Sequence, residues 1–413
     1  MAYYFLVLLI FISLLLKGSL DYYAFYKIDL YLFLFPIIIL KIILNVGKNK
    51  IVSSKPIFYF FLFMFTIFFS LLINNGYEKN NLDLFTSIKG VFSYIMWTLI
   101  FLLSATENFS KKESIRFNKL LWGIGFAMAA NTIIPVIIYF LTGNLIGEFI
   151  LQDGSFRSFG FLTDQVGFAL VYFVILSVFE KKYSRILLFL ASILVTGTRG
   201  AIIFAVIALI VAFIFQKNYN FSFKKLSFII KRGIVIISIL MIAWISFGDS
   251  ISSMILLRFD EESIEGTSVQ RFGAMESGFE LFLENPILGV GIGRFSELVY
   301  NNSELSKNVE YNATFTKKEN MRGYANAQNE FINILVNGGL FSLLMVILFI
   351  YNVLKNIRVK IRLMDNPNHQ MVAFIFIILA VFFIQTAVYM FNPGIISFFI
   401  LILLGRGSSK SLY

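Results

Sequence analysis

Apolar runs of membrane-crossing length alternate with short charged breaks along most of the chain. A helix needs ~20 mostly apolar residues to cross the hydrocarbon core of a bilayer. Reading runs against breaks places spans near 2–16, 28–46, 57–74, 86–104, 119–142, 165–180, 184–197, 200–216, 231–248, 327–354, 370–390 and 394–405. The stretch 184–216 also reads as one long helix broken at Gly197 and Gly200. The expected fold class is an all-α polytopic membrane protein with about 12 transmembrane helices. The first span has no basic stretch before it and no small-residue cleavage site, so it reads as a retained helix and not as a signal peptide.

One segment breaks the rhythm. Residues 249–326 are too polar to be embedded in lipid and hold 12 of the 24 acidic residues. They divide the chain into spans one to nine (1–248), a large extracytoplasmic loop (249–326), and spans ten to twelve with a cytoplasmic tail (327–413). A connection this long is usually functional or disordered. Inside it the pattern predicts a helix over Val269–Glu284. Phe272, Met275, Phe279 and Phe282 recur at helical spacing on one side, with Glu276, Glu280 and Glu284 on another. Asn285-Pro286 ends it. The expected placement is on the membrane surface, apolar side down.

Charge orients the spans. With the N-terminus inside, the predicted inner loops carry Lys48, Lys50 and Lys55; Lys111, Lys112, Arg116 and Lys119; Lys181, Lys182 and Arg185; Lys217, Lys224, Lys225, Lys231 and Arg232; Lys355, Arg358, Lys360 and Arg362; and Arg406 and Lys410. These are 21 of the 35 basic residues, whereas the short outer loops hold one or two each or none. That is the asymmetry expected of cytoplasmic loops, so both termini are expected in the cytoplasm. It also accounts for the net charge of +11 without a nucleic-acid partner. Tyr22, Tyr23, Tyr26 and Tyr31 surround the first outer loop, where an aromatic belt belongs.

Composition agrees and removes several chemistries. The chain is 58% hydrophobic and 14% charged, against about 25% charged in soluble domains. Its 50 phenylalanines read as lipid-facing bulk rather than as stacking platforms. The absence of cysteine excludes disulfides, thiolate catalysis and Cys-based metal sites. The inner loops are too short for a nucleotide-binding domain, and there is neither a Walker motif nor an Asp-x-Asp pair. The sequence Gly289-Val290-Gly291-Ile292-Gly293 resembles part of a dinucleotide fingerprint but lacks the preceding strand and the last glycine; it reads as a tight turn after Pro286.

The remaining candidates are arginines on the predicted outer side: Arg157 between spans five and six, Arg199 at an outer helix end, Arg271 opening the amphipathic helix, Arg294 after the glycine turn, and Arg322 before span ten. A charge deep in a bilayer costs ~2.5–3.5 kcal/mol on insertion scales, so Arg199 needs a partner or a wet cavity. Guanidinium groups bind phosphate oxygens in pairs and stay charged at any working pH, which would suit several of them to a pyrophosphate. Singly, each can equally well snorkel or pair with a loop carboxylate.

The segment from Gln270-Arg271 through Asn285-Pro286 to Gly289-Val290-Gly291-Ile292-Gly293-Arg294-Phe295 resembles the signature of the O-antigen polymerase and ligase superfamily, in which an Arg-led amphipathic helix runs into a Pro-x-x-Gly-x-Gly-x-Gly-x-Phe turn. Ala327-Gln328-Asn329-Glu330, running on to Gly338-Gly339-Leu340, is similar to a second signature that opens with His-Asn. The Arg157–Gly160 loop and the Thr198-Arg199-Gly200 step fall where that superfamily places comparable elements. One position departs: ligases carry histidine where this chain has Gln328, and its only histidine, His369, lies in a predicted cytoplasmic loop. An amide does not take up a proton as imidazole does. The resemblance therefore implies a polymerase before a ligase.

It further implies a GT-C-type fold and a metal-independent glycosyltransferase of the bacterial plasma membrane that needs no cofactor. That enzyme would join undecaprenyl-pyrophosphate-linked oligosaccharide units, for O-antigen or capsule, at the outer face. Its partners would be lipid-linked glycans, membrane lipids, a chain-length regulator and a flippase. Arg157 and Arg271 would hold the pyrophosphate with Arg199 in support, and Arg294 and Arg322 would add positive charge. Gln328 and Asn329 would hydrogen-bond sugar or phosphate, and Glu330, Glu276 and Asp164 are the candidate bases. A flippase for lipid-linked sugars is the alternative of another class, but such folds show related halves, and no internal repeat is visible here.

Overall fold

The computed structural model describes residues 55–74, 111–144, 148–152, 155–160, 166–216, 261–292, 294–295, 298 and 329–363, with isolated helical positions in 36–44 and 371–379. Among them are seven helices and one two-stranded hairpin: α1 (Lys55–Asn74), α2 (Lys111–Thr142), β1 (Glu148–Gln152), β2 (Ser155–Gly160), α3 (Val166–Phe179), α4 (Tyr183–Val195), α5 (Arg199–Gln216), α6 (Glu261–Glu284) and α7 (Glu330–Leu363). The chain divides into two compact units, residues 1–119 with 267–413 and residues 120–266.

In the first unit α1 packs along α7. Phe60, Phe63, Ile67 and Ser70 are buried at intervals of three and four, the stripe that one helix face presents. Phe60 meets Phe349 at 5.1 Å between ring centroids, and Thr66 shares a 2.7 Å hydroxyl hydrogen bond with Ser342. The outward side of the pair is apolar: Phe58, Phe61, Phe65 and Leu72 on α1 and Phe341, Leu344, Ile347 and Tyr351 on α7 are all exposed. Exposed apolar faces of this extent mark an interaction site or a membrane surface.

The second unit is built around α3, every residue of which from Val166 to Val178 is buried, as expected of a helix apolar on all sides. α4 and α5 pack against it. Buried hydroxyls in both units turn back onto their own helix. Thr66, Thr132, Ser177, Ser192, Thr196 and Ser277 each donate to a carbonyl three or four residues earlier. Such bonds are how small polar side chains are satisfied where water is absent.

Asn118–Thr142 and Phe331–Asn352 are long and apolar enough to cross a bilayer, and Phe58–Ser70, Val166–Phe179, Tyr183–Val195 and Gly200–Phe215 are shorter apolar helices. These helices fit a membrane protein. Six of the predicted spans correspond to α1, α2, α3, α4, α5 and α7. At 14 residues, α3 spans about 21 Å, short of the ~30 Å hydrocarbon thickness. The stretch 184–216 is two helices, with Gly197 at φ 60° in the turn between them. The predicted spans near 2–16, 86–104, 231–248 and 394–405, and most of 28–46 and 370–390, lie outside the described residues.

The hairpin departs from an all-α reading. Sequence patterning gives a plain loop between spans five and six, yet β1 and β2 pair antiparallel with Gln152 opposite Ser155 and Ile150 opposite Arg157. The two residues between that first pair are Asp153-Gly154, a strong hairpin signal because both turn positions favour positive φ.

Candidate functional site

The two segments that carry the resemblance meet in the first unit, where each breaks regular structure for the other. α7 has a non-helical residue inside it, Gly339, at φ 68° and ψ −170°. A break inside an apolar helix frees backbone groups that lipid cannot satisfy. Here the turn after α6 supplies the partners. The Val290 amide donates to the Val336 carbonyl at 2.7 Å, and the Leu340 amide donates to the Pro286 carbonyl at 2.8 Å.

The approach is backbone against backbone, so side chains are excluded on both sides. Gly289, at φ 68°, would put a Cβ onto the Val336 carbonyl and 2.7 Å from the amides of Gly338 and Gly339. A Cβ on Gly339 would collide with the Ile287 carbonyl. Both glycines are thus required twice over, by dihedral angle and by space. Below this joint Leu281 of α6, Val290 of the turn, Phe295 beyond it and Val336 of α7 form one buried cluster, joined by Leu298 and Ile332.

This cluster positions Arg294 and the head of α7. Arg294 is half-buried and begins a helical turn, its carbonyl accepting the Leu298 amide at 3.0 Å. Asn329 is buried, and its Oδ1 accepts the Ile332 amide at 3.2 Å, an N-cap satisfying one of the open amides of the first turn. Glu330, the first residue of α7, stands where the helix dipole favours a negative charge.

α6 corrects one expectation. It starts at Glu261 rather than Val269, so Arg271 lies mid-helix instead of opening it. Counted back from Leu281, that is ten residues and about 15 Å along the axis. The side it turns to the rest of the protein is made of small residues: Gly273, Ala274, Ser277, Gly278 and Leu281 are buried, whereas Phe279 is 47% and Leu283 59% exposed. Small residues let the helix approach its neighbours closely, and the larger apolar side chains take the outside. Glu276 is exposed.

In the second unit Arg157 stands in β2, and its neighbour Ser158 is buried and donates to the Thr132 carbonyl at 2.9 Å. That carbonyl lies in the turn of α2 just before Pro135, a residue that has no amide to give to the ladder there. Arg199 is the first residue of α5. Next to it Gly167, in the first turn of α3, sits hard against Thr196 and Ala201, and β2 packs on α4. Arg157 and Arg199 therefore belong to one set of contacting elements. Asp164, Arg322, Gln328 and His369 lie outside the described residues.

Residues 184–347 match a family model described as O-Antigen ligase. The match supports the O-antigen polymerase and ligase superfamily, a group of glycosyltransferase-like enzymes, at the level where polymerase and ligase are not separated. It runs from α4 through the glycine turn into α7 and so contains both joined segments, while Arg157 precedes it. No curated protein sequence matches the chain.

Proposed function

We propose that the chain is a glycosyltransferase that polymerises undecaprenyl-pyrophosphate-linked oligosaccharide units at the outer face of the plasma membrane. What carries the reading is the joint itself: the two segments that resemble the superfamily are the two that the fold holds together through Gly289 and Gly339. The support for polymerisation over ligation is Gln328, where the resemblance leads one to expect a ligase histidine.

In the proposed reaction an acceptor sugar hydroxyl forms a bond to the anomeric carbon of the growing chain. The bond from that carbon to the pyrophosphate oxygen breaks, and undecaprenyl pyrophosphate leaves. The hydroxyl proton passes to a carboxylate, with Glu330, Glu276 and Asp164 as candidates. Arg157 and Arg271 stabilise the charge that develops on the leaving group, with Arg199, Arg294 and Arg322 adding to the field. Fixed donors aimed at developing charge supply much of an enzyme's rate advantage, so this scheme calls for no metal. Gln328 and Asn329 donate to sugar or phosphate.

The ligase reading is favoured by the description of the matched family. A deletion strain separates the two. Loss of a polymerase leaves surface glycolipid with a single repeat unit, whereas loss of a ligase leaves long polymer on the carrier lipid; the latter outcome overturns the proposal. Within the polymerase reading, Arg157→Ala and Arg271→Ala abolish chain growth at unchanged protein level, and normal banding in either removes that arginine from the site.

A further inference from the structure

The turn between α3 and α4 gathers positive charge around an indole. Arg185 lays its guanidinium over Trp122 of α2, 4.2 Å from the ring centroid, and over Phe126 at 5.2 Å. The Nζ of Lys182 lies 5.4 Å from the Trp122 ring. Phe173 and Phe189 complete the stack beneath, 5.5 Å apart and each within 6.3 Å of Trp122.

The acidic residue of this turn is already engaged. Glu180 accepts the Trp122 indole N–H through Oε1 at 3.2 Å and pairs with Lys182 through Oε2 at 2.7 Å. Arg185 uses its faces on the rings and has no carboxylate partner among the described residues. Its Nη1 is buried without a hydrogen-bond acceptor there. Stacking satisfies the face of a guanidinium, but its N–H groups lie in the plane and need oxygen. An orphaned charged donor is costly. Lys181, exposed and at φ 59°, adds another cation to the turn.

The surroundings narrow the ligand. α3 and α4 are apolar helices that meet at this turn, so the cations stand at a helix end, where a membrane surface would lie. Beside Arg185, Phe126, Leu187 and Leu188 are exposed. A free inorganic anion would answer the charge and leave that apolar surface bare. An amphiphile with a phosphate head answers both, and basic pockets between membrane helices are suited to such headgroups.

We propose that the α3–α4 turn is a binding site for an anionic phospholipid. On binding, a rotation of the half-buried Arg185 side chain brings Nη1 to a phosphate oxygen, Lys181 and Lys182 supply the field, and the acyl chains lie along Phe126, Leu187 and Leu188. The site shares no residue with the proposed glycosyl-transfer machinery and stands independently of it.

The test uses the full chain in neutral detergent with phosphatidylglycerol, phosphatidylcholine or inorganic phosphate, read by thermal melting and by native mass spectrometry of retained lipid. Phosphatidylglycerol raises the melting temperature and is retained, and the other two do neither. Arg185→Ala weakens phosphatidylglycerol retention about tenfold, the size of one lost charge-assisted hydrogen bond. Lys181→Gly suits the positive φ of its position and therefore keeps the fold; removing one cation from a headgroup surface weakens retention about fivefold. Equal effects of phosphatidylcholine, a full effect of inorganic phosphate, or undiminished retention in both variants overturns the proposal. If Arg185→Ala does not fold, the comparison of lipids on the unaltered chain and Lys181→Gly still decide it.

Discussion

Asn329 carries two roles that substitution can separate. Its Oδ1 caps α7 through the Ile332 amide, and the proposed mechanism uses its Nδ2 as a donor to substrate. Asn329→Ala loses the cap and about 1 kcal/mol of stability. Asn329→Asp keeps an acceptor for the amide and adds a negative charge at the helix N-terminus, which is favourable, but it has no N–H to give. The expected result is a melting temperature close to that of the parent chain with chain growth lost. Normal growth in Asn329→Asp confines the residue to capping. Such dual use is why residue roles are only partly legible in a sequence. The Gln328-Asn329-Glu330 triplet stands out as polar residues ahead of an apolar run, but the same pattern describes a helix start. Arg294 stood out as a charge after a glycine turn, and its half-buried place beside Phe295 follows from a cluster assembled from α6, the turn and α7.

At the scale of elements, local pattern found the helices and missed what interrupts them. The run 327–354 reads as one span because its apolar positions continue across Asn337-Gly338-Gly339. The break is stable because its freed backbone groups are taken by Pro286 and Val290, partners about fifty residues earlier that no local window includes. Contact likewise decides the protein-facing side of α6: periodicity marks the phenylalanine row, and the side that packs is the one with Gly273, Ser277 and Gly278. The joint makes a sharp prediction. Gly289→Ala and Gly339→Ala each cost about 2 kcal/mol or more, from positive φ and overlap combined. Because each opens the same contact, the double variant costs less than the sum by at least roughly 1 kcal/mol. Equilibrium unfolding in mixed micelles measures the cycle, and strict additivity would mean that the two glycines do not act on one joint.

For the whole molecule, charge carries what hydropathy cannot. Apolar runs locate spans but give no direction, and short ones such as α3 and α4 are the easiest to merge or miscount. Basic residues in alternate loops supply direction and parity together, since one miscounted span reverses the expected side of every loop after it. Twelve spans therefore predict that Asn220 and Ser409 face the cytoplasm and Ser303 faces outward. The chain is suited to the test because it has no cysteine to remove. With a membrane-impermeant maleimide on intact cells, Ser303→Cys labels at once, and Asn220→Cys and Ser409→Cys label only after permeabilisation. Labelling of Ser409→Cys in intact cells, with Asn220→Cys still protected, places an uneven number of crossings between them. With Ser303→Cys still labelled, that outcome changes the number of spans after residue 303 and leaves the predicted outward loop bearing Arg271 in place. Labelling of Asn220→Cys with Ser303→Cys protected instead reverses the loop and puts Arg271 and Arg294 on the cytoplasmic side, where outward polymerisation has no means to proceed.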